Sequence, residues 1–156
     1  SMGGYICTRL ACDPDHTPYG RPLRGLLPDS PLMLYSQILD EIRQRLKIPH
    51  LLHTSHLRRV FRDVRAMHPS ITSQSLEQFD IPLWGVPSVP TLCLQAMTDL
   101  RLGSEHYDAT VEAMSSSGHL THHLVESMGH SGAKTNVERE SHIQDWLETF
   151  DLILLT

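Results

Sequence analysis

The chain has 156 residues, of which 40% are hydrophobic and 20% charged, and its formal net charge is −5 with histidine counted as neutral. This composition is typical of a folded domain and excludes an intrinsically disordered chain. It also excludes a surface that is basic throughout, so nucleic-acid binding would need a local patch of lysine or arginine. The sequence has no apolar run long enough to span a membrane, and its three cysteines form no Cys-x-x-Cys pair. We therefore expect an intracellular protein without a membrane partner.

We expect a single domain over residues 1–156 that was excised from a larger protein, because residues 1–4 resemble a remnant of cloning. The predicted fold class is α+β, mainly helical, with a winged-helix-like unit and a small antiparallel β-hairpin. A helical N-terminal half, the winged-helix-like unit and a C-terminal helix are placed at residues 30–70, 91–135 and 138–151, respectively.

The proline-rich residues 13–31 predict a long ordered loop that ends where the first helix begins. Ser30 is the predicted N-cap of this helix, and Pro31 is its first residue. Apolar side chains then recur near helical spacing and indicate an amphipathic helix: Leu34, Ile38, Ile42 and Leu46.

A second predicted helix, capped by Thr54 or Ser55, has two sides of different chemistry. The apolar side consists of Leu57, Val60, Phe61, Val64 and Met67. The opposite side is basic within about 60° of arc and consists of Arg58, Arg62 and Arg65, with Arg59 at its edge. These guanidinium groups either contact successive phosphates of a nucleic acid or form a solvated face paired with acidic residues such as Asp63.

The middle of the chain predicts two further helices. Residues 79–91 contain three prolines and are expected to be extended and irregular. A helix that opens at Thr91, a turn at Gly103 and a second helix capped by Ser104 then follow the order of a helix-turn-helix unit.

The last third of the chain predicts a strand, a turn and a helix. Residues 119–128 alternate as in a strand, and residues 129–134 form the predicted turn of an antiparallel hairpin, which completes the winged-helix pattern. Thr135 and Glu138 are the predicted capping box of the closing helix. That helix is expected to bury four apolar side chains, Ile143, Trp146, Leu147 and Phe150.

Four histidines stand within twelve positions: His119, His122, His123 and His130. Zinc needs three or four converging ligands, whereas in a strand His119 and His122 point to opposite faces. No His-Glu-x-x-His motif occurs either, so we interpret these residues as part of the wing and predict no metal. Their protonation near pH 6 would add positive charge to this face. A histidine-liganded metal protein is retained as a third alternative.

Sequence motifs of catalysis are lacking. No Gly-x-Ser-x-Gly, P-loop or Gly-x-Gly-x-x-Gly motif occurs in the chain. Cys93 lies between leucines and is expected to be a buried structural thiol rather than half of a Cys/His nucleophile pair. We therefore predict no catalytic residue in this segment.

Five short stretches occur in the order found in the C-terminal region of the tRNA (guanine-N2)-dimethyltransferases. They are "GGY" near the start, "LHTSHLRRVF" at 52–61, "DIPLW" at 80–84, "AMSSSGHLTHHL" at 113–124 and "GAKTN" at 132–136. Over nearly its whole length the chain thus resembles that region, which contains a helix beginning with "HTS" and a small winged-helix-like unit.

The resemblance implies a tRNA-docking module without chemistry of its own. The methyltransferase half of the parent protein would bind S-adenosylmethionine, and this segment would need no cofactor. The implied RNA contacts, together with those of the basic helix and the wing, are Arg58, Arg59, Arg62, Arg65, His119, Lys134, Thr135 and Asn136. Further partners are the missing methyltransferase domain or another protein. The alternative function is a winged-helix-like protein–protein interaction module.

Overall fold

A computed structural model describes residues 2–13, 21–67, 75–130 and 136–152. Within these ranges the chain forms five α-helices and two strands. The helices are α1 Met2–Ala11, α2 Tyr35–Arg45, α3 His50–Met67, α4 Glu105–Met114 and α5 Val137–Thr149. The strands are β1 Thr91–Ala96 and β2 Leu120–Val125, and short 3-10 turns lie at Leu76–Phe79, Ile81–Trp84 and Ser115–Ser117.

β1 lies at the centre of a small parallel sheet. On one side it pairs in parallel with β2, and Thr91 lies opposite Leu120 in this register. On its other side residues 26–30 run alongside it: the Ser30 N–H donates to the Leu94 carbonyl at 2.8 Å, and the Leu92 N–H donates to the Leu26 carbonyl at 2.9 Å. All six residues of β1 are buried in consequence.

The predicted winged helix is wrong, and the two strands are parallel rather than an antiparallel hairpin. Residues 91–96 form the central strand instead of a helix. A short, continuously apolar run cannot be assigned to a buried strand or a buried helix from its periodicity. Parallel strands need a long crossover, and α4 supplies it here. The predicted strand in residues 119–128 is confirmed by β2.

Two predicted helix starts are wrong, because the residues predicted as N-caps make other hydrogen bonds. α2 begins at Tyr35, not at Pro31, and Ser30 is a buried residue with a positive φ of 44° whose N–H pairs with β1. α3 begins at His50, so that Thr54 lies inside the helix and donates its hydroxyl hydrogen to the His50 carbonyl at 3.0 Å.

The start of α5 is one residue away from the predicted one. Asn136 is the N-cap, and its Oδ1 accepts a hydrogen bond from the Arg139 N–H at 2.9 Å. The predicted cap, Thr135, lies outside the described residues. Two other differences are that α1 was not predicted, and that 3-10 turns occupy part of the segment expected to be extended.

Two apolar clusters hold the elements together. The first lies between the sheet and α5 and consists of Leu92, Leu94, Ala96, Val125, Met128 and Trp146. Gly25 packs closely against this cluster, since a Cβ at this position would lie 2.8 Å from the Trp146 ring. The second cluster consists of Met33, Ile81 and Met114, and the Ile81 N–H donates to the Met33 carbonyl at 2.9 Å. This hydrogen bond joins the two ends of the stretch that contains α2 and α3.

Among the described residues, none of the helices combines the length and the apolar character needed to cross a membrane.

Candidate active site

A buried acid–histidine pair lies at one edge of the sheet. Asp99 follows the carboxyl end of β1, and His130 follows the carboxyl end of the adjacent β2. His130 Nδ1 lies 2.7 Å from Asp99 Oδ2, and the two side chains are 10% and 1% exposed, respectively. Carboxyl ends of adjacent parallel strands are the usual place for catalytic groups in α/β folds, because the crossovers leave a crevice there.

The Asp99 carboxylate is held by hydrogen bonds on both oxygens. Oδ2 also accepts from Gln95 Nε2 at 2.7 Å. Oδ1 accepts from the backbone N–H groups of Arg101 and Leu102 at 2.8 and 3.0 Å. Burial opposes ionisation of this carboxyl, but the hydrogen bonds from His130 and the two N–H groups outweigh it and lower the pKa of Asp99.

The carboxylate fixes the tautomer of His130. An ionised carboxylate only accepts hydrogen bonds, so Nδ1 of His130 carries the shared proton. Nε2, on the other side of the ring, is then the basic nitrogen of the neutral imidazole. A histidine oriented in this way can take a proton from a nucleophile and return it to a leaving group.

At the same edge of the sheet, His106 holds the segment that follows residues 26–30. It is fully buried, and its Nδ1 accepts the N–H groups of Met33 and Leu34 at 2.9 and 3.0 Å. Burial lowers the pKa of His106, which keeps the ring neutral and able to accept these two hydrogen bonds.

The first turn of α1 packs against that chain. A Cβ on Gly4 would lie 3.0 Å from the Cβ of Pro31, so only glycine allows this approach without a shift of the neighbouring chain. Pro31 lies directly beyond the carboxyl end of residues 26–30. The amino-terminal end of α1 is therefore at the sheet edge that carries Asp99 and His130.

An apolar cavity of about 560 Å³ opens between α1, α2, α3 and the turn Leu76–Phe79. It reaches Met2 and Tyr5 of α1, while neither Asp99 nor His130 lines it. The Tyr5 hydroxyl donates to the Phe79 carbonyl at 2.8 Å, and burial of the phenol raises the pKa of Tyr5 to about 12. The cavity is therefore bordered by a neutral tyrosine, by aliphatic side chains of α2 and α3, and by Arg43, His53 and His56.

The predicted basic face of α3 is partly present. Arg58, Arg59 and Arg62 are exposed, and Arg62 Nε lies 3.1 Å from Asp63 Oδ1. Arg65 is half-buried and donates its Nε–H to the Phe61 carbonyl at 3.3 Å. Three of the four arginines thus face solvent together.

The other predicted RNA contacts are not brought together. His119 is exposed and precedes the amino end of β2, whereas Asn136 lies beyond its carboxyl end and caps α5. Asn136 also exchanges hydrogen bonds with the Ser127 hydroxyl. Lys134 and Thr135 lie outside the described residues.

The clustered histidines have separate environments. His122 Nδ1 lies 2.5 Å from the Tyr107 hydroxyl, and the His123 ring stacks on His142 with 3.8 Å between centroids. In the part of the chain that the structure describes, no three His, Cys, Asp or Glu residues are arranged to hold a metal ion. Cys93 is buried as predicted, although in a strand, and burial raises the pKa of its thiol to about 12.

Sequence reasoning named His130 only as one of the clustered histidines and did not single out Asp99. It placed Asp99 on a helix and His130 in a hairpin turn, and these predicted elements imply no contact between the two residues. The available signal was positional: each follows a segment that is a strand, and polar residues after adjacent parallel strands converge.

Comparisons of this chain with protein-family models, with curated proteins and with solved structures found no match.

Proposed function

We propose that Asp99 and His130 are two members of a nucleophile–histidine–aspartate triad that hydrolyses an ester or a related acyl substrate. The observation that carries the proposal is the 2.7 Å contact between His130 Nδ1 and the buried Asp99 carboxylate at the carboxyl edge of the sheet. In such triads the aspartate orients the imidazole and stabilises the imidazolium that forms during the reaction.

The hydrogen bonds of Asp99 suit that role better than the role of a proton donor. The carboxylate accepts from Gln95 and from two backbone N–H groups, and these contacts favour its ionised form. It therefore keeps a negative charge next to His130, which would stabilise the imidazolium that forms during the reaction.

Ser1 is the proposed nucleophile, which departs from the expectations that residues 1–4 are a remnant of cloning and that this segment has no catalytic residue. It lies outside the described residues, and its assignment rests on its place in the sequence, directly before α1 and at the start of Ser-Met-Gly. A nucleophilic serine of α/β hydrolytic folds stands between a strand and a helix in a Ser-x-Gly context, and its partners follow in the chain order Ser, Asp, His. Ser1, Asp99 and His130 have this order.

The reaction then follows from the groups at this edge. Ser1 Oγ attacks the carbonyl carbon while His130 Nε2 takes the hydroxyl proton. The bond from that carbon to the alcohol oxygen breaks, and the leaving alcohol receives the proton from Nε2. Water attacks the acyl-enzyme in the same manner, which releases the carboxylic acid and restores Ser1.

Stabilisation of the tetrahedral oxyanion is expected at the start of α1. The first four N–H groups of a helix have no partner within the helix, and Met2 is the first residue of α1. The N–H of the residue after the nucleophile is one of the usual oxyanion donors. The adjoining apolar cavity reaches Met2 and favours substrates with an aliphatic or aromatic group.

The first test is covalent labelling of the full chain with an alkyl fluorophosphonate, together with hydrolysis of p-nitrophenyl butyrate. We expect one label per chain, located on Ser1 by peptide mass spectrometry, and loss of label and turnover in Ser1→Ala. Asp99→Asn is expected to lower kcat by about 10⁴-fold, because the wrong imidazole tautomer is then favoured.

His130→Gln should abolish turnover, and His122→Gln is its matched control. His122 is also a hydrogen-bonded histidine, on the same part of the chain, but it contacts Tyr107 rather than Asp99. A folded chain that takes no label, or whose labelling is unchanged in His130→Gln, would contradict the proposal.

Docking of tRNA stays a prediction. It is supported by the exposure of Arg58, Arg59 and Arg62 on α3. Its test is binding of unmodified tRNA between about 50 and 200 mM salt, where affinity should fall steeply if phosphates are contacted. The winged-helix version of the protein-interaction alternative has no remaining basis, because residues 91–96 form a strand.

A further inference from the structure

An exposed surface that the proposed function does not explain lies at the connection between α2 and α3. We define the α2–α3 corner as residues 42–62. Four of its large aliphatic side chains are exposed: Ile42 is 44% exposed, Leu46 65%, Leu51 83% and Leu52 62%. Exposed apolar residues that gather at one turn, rather than being scattered singly, indicate a contact surface.

The longer stretch that contains this corner is basic in an otherwise acidic chain. Residues 35–67 hold seven of the 13 lysines and arginines but three of the 18 acidic residues, a net charge of +4 in a chain of net charge −5. Two of those three carboxylates are engaged locally, Asp40 with Arg43 and Asp63 with Arg62. Within the described residues no ion pair involves Arg45, Lys47, Arg58 or Arg59.

The two chemistries share one face of α3. At 100° per residue, five of the exposed side chains of α3 fall within about 120° of arc. They are Leu51, Leu52, Arg58, Arg59 and Arg62. The buried Phe61 lies outside this arc, and its ring stacks on Phe79 with 5.8 Å between centroids, which attaches the helix to the turn Leu76–Phe79. The outward face is therefore left for a partner.

We infer that the α2–α3 corner docks on an anionic phospholipid surface. Leucines would enter the boundary between headgroups and acyl chains, and the arginines and Lys47 would contact the anionic headgroups. Peripheral docking of this kind needs no membrane-spanning helix. It thus differs from the expectation of no membrane partner, which rested on the lack of an apolar run.

A lipid surface accounts for this face better than RNA does. Phosphate contacts alone would explain the arginines but not four exposed aliphatic side chains beside them. The apolar cavity opens between the same two helices, and Ile42 belongs both to its lining and to the exposed surface. Docking would therefore bring a lipophilic ligand close to the cavity.

The test is flotation of the full chain with vesicles of phosphatidylcholine, with and without about one quarter phosphatidylserine. We expect binding to the mixed vesicles and at least about tenfold weaker binding to phosphatidylcholine alone, with the difference shrinking as salt is raised. Arg58→Gln/Arg59→Gln should weaken binding to the mixed vesicles by about 25-fold, since each basic residue near the surface contributes about fivefold. Leu51→Ser/Leu52→Ser should weaken binding to both vesicle types.

Matched controls separate this surface from general charge and hydrophobicity. Val137→Ser changes an aliphatic side chain on α5 that is 83% exposed, as Leu51 is. Arg21→Gln/Arg101→Gln removes two exposed charges outside the corner. Both controls should float like the unchanged chain. The inference would be overturned if the controls lost as much vesicle binding as the corner variants, or if the chain did not float at all. It would also be overturned if Arg58 and Arg59 were needed for tRNA binding but not for flotation. Flotation requires no catalysis, so its failure leaves the proposed hydrolysis untouched.

Discussion

All six side chains of β1 are buried, whereas α2 buries none of its side chains fully and α3 exposes Leu51 and Leu52. In the region around the sheet, His130 Nδ1 lies 2.7 Å from Asp99 Oδ2. Gln95 and the Arg101 N–H also donate hydrogen bonds to the Asp99 carboxylate. The α2–α3 corner instead presents charge and apolar surface to solvent. The difference indicates that the sheet region fixes the positions of its side chains, whereas the α2–α3 corner leaves its side chains accessible to a partner.

The largest stability effect is expected in the sheet. Leu94→Ala removes a fully buried side chain from the central strand, and the surrounding sheet and α5 cannot close the space completely. We expect the free energy of unfolding to fall by about 2–5 kcal/mol in urea titration. A loss below about 1 kcal/mol would show that β1 is not the centre of the core.

A smaller loss is expected from Asp99→Asn, about 1–3 kcal/mol, because an amide cannot accept all the hydrogen bonds that the carboxylate accepts. The pKa of Asp99 is lowered in the folded chain, so its contribution is present above the ordinary aspartate pKa near 4 and is lost as pH falls through the folded value. Unfolding followed from pH 7 to pH 2 should therefore be less pH-dependent in Asp99→Asn. Identical pH profiles would contradict the proposed hydrogen-bond network.

Phe61→Leu tests how the α2–α3 corner is attached. The substitution keeps an apolar side chain but removes the stacking of Phe61 on Phe79, which should cost about 1 kcal/mol. We expect faster amide hydrogen exchange in α3 and unchanged exchange in β1. Acceleration that is equal in both would mean that the two regions open as one unit.

The smallest effect is expected from Leu52→Ala, which changes an exposed side chain on the outer face of α3. The unfolding free energy should stay within about 0.5 kcal/mol of the unchanged chain in the same urea titration. A larger loss would place Leu52 in a folded contact and remove it from the docking surface. Combined with weaker flotation in the Leu51→Ser/Leu52→Ser variant, a neutral result would separate the docking role from a structural one.

Local patterns in the sequence predicted several elements of the fold. The helices α2, α3, α4 and α5 and the strand β2 are present, because amphipathic spacing and alternation depend on neighbours along the chain. Their starts differ where a cap residue was needed elsewhere: Ser30 pairs with β1, and Asn136 rather than Thr135 caps α5. The burial of Cys93 was also predictable from its leucine neighbours.

The parallel sheet and the Asp99–His130 pair were not predictable from those patterns. Thr91 to Ala96 reads as a short apolar run, and only its pairing with Leu120 to Val125 and with residues 26–30 makes it a strand. The two catalytic candidates are brought together by that pairing and by the α4 crossover. Their contact is therefore a property of topology, which single-sequence spacing does not contain.

The hydrogen bond from the Ile81 N–H to the Met33 carbonyl has a consequence for how this chain can vary. It makes residues 34–80 an excursion that leaves the fold and returns to it at nearly the same place. The entropy cost of closing such an excursion grows slowly, by about 0.6 kcal/mol for each doubling of its length. The stretch can therefore be lengthened, shortened or exchanged for another sequence while the sheet and its acid–histidine pair are kept. The outer surface and the apolar cavity that α2 and α3 line can thus evolve separately from that pair.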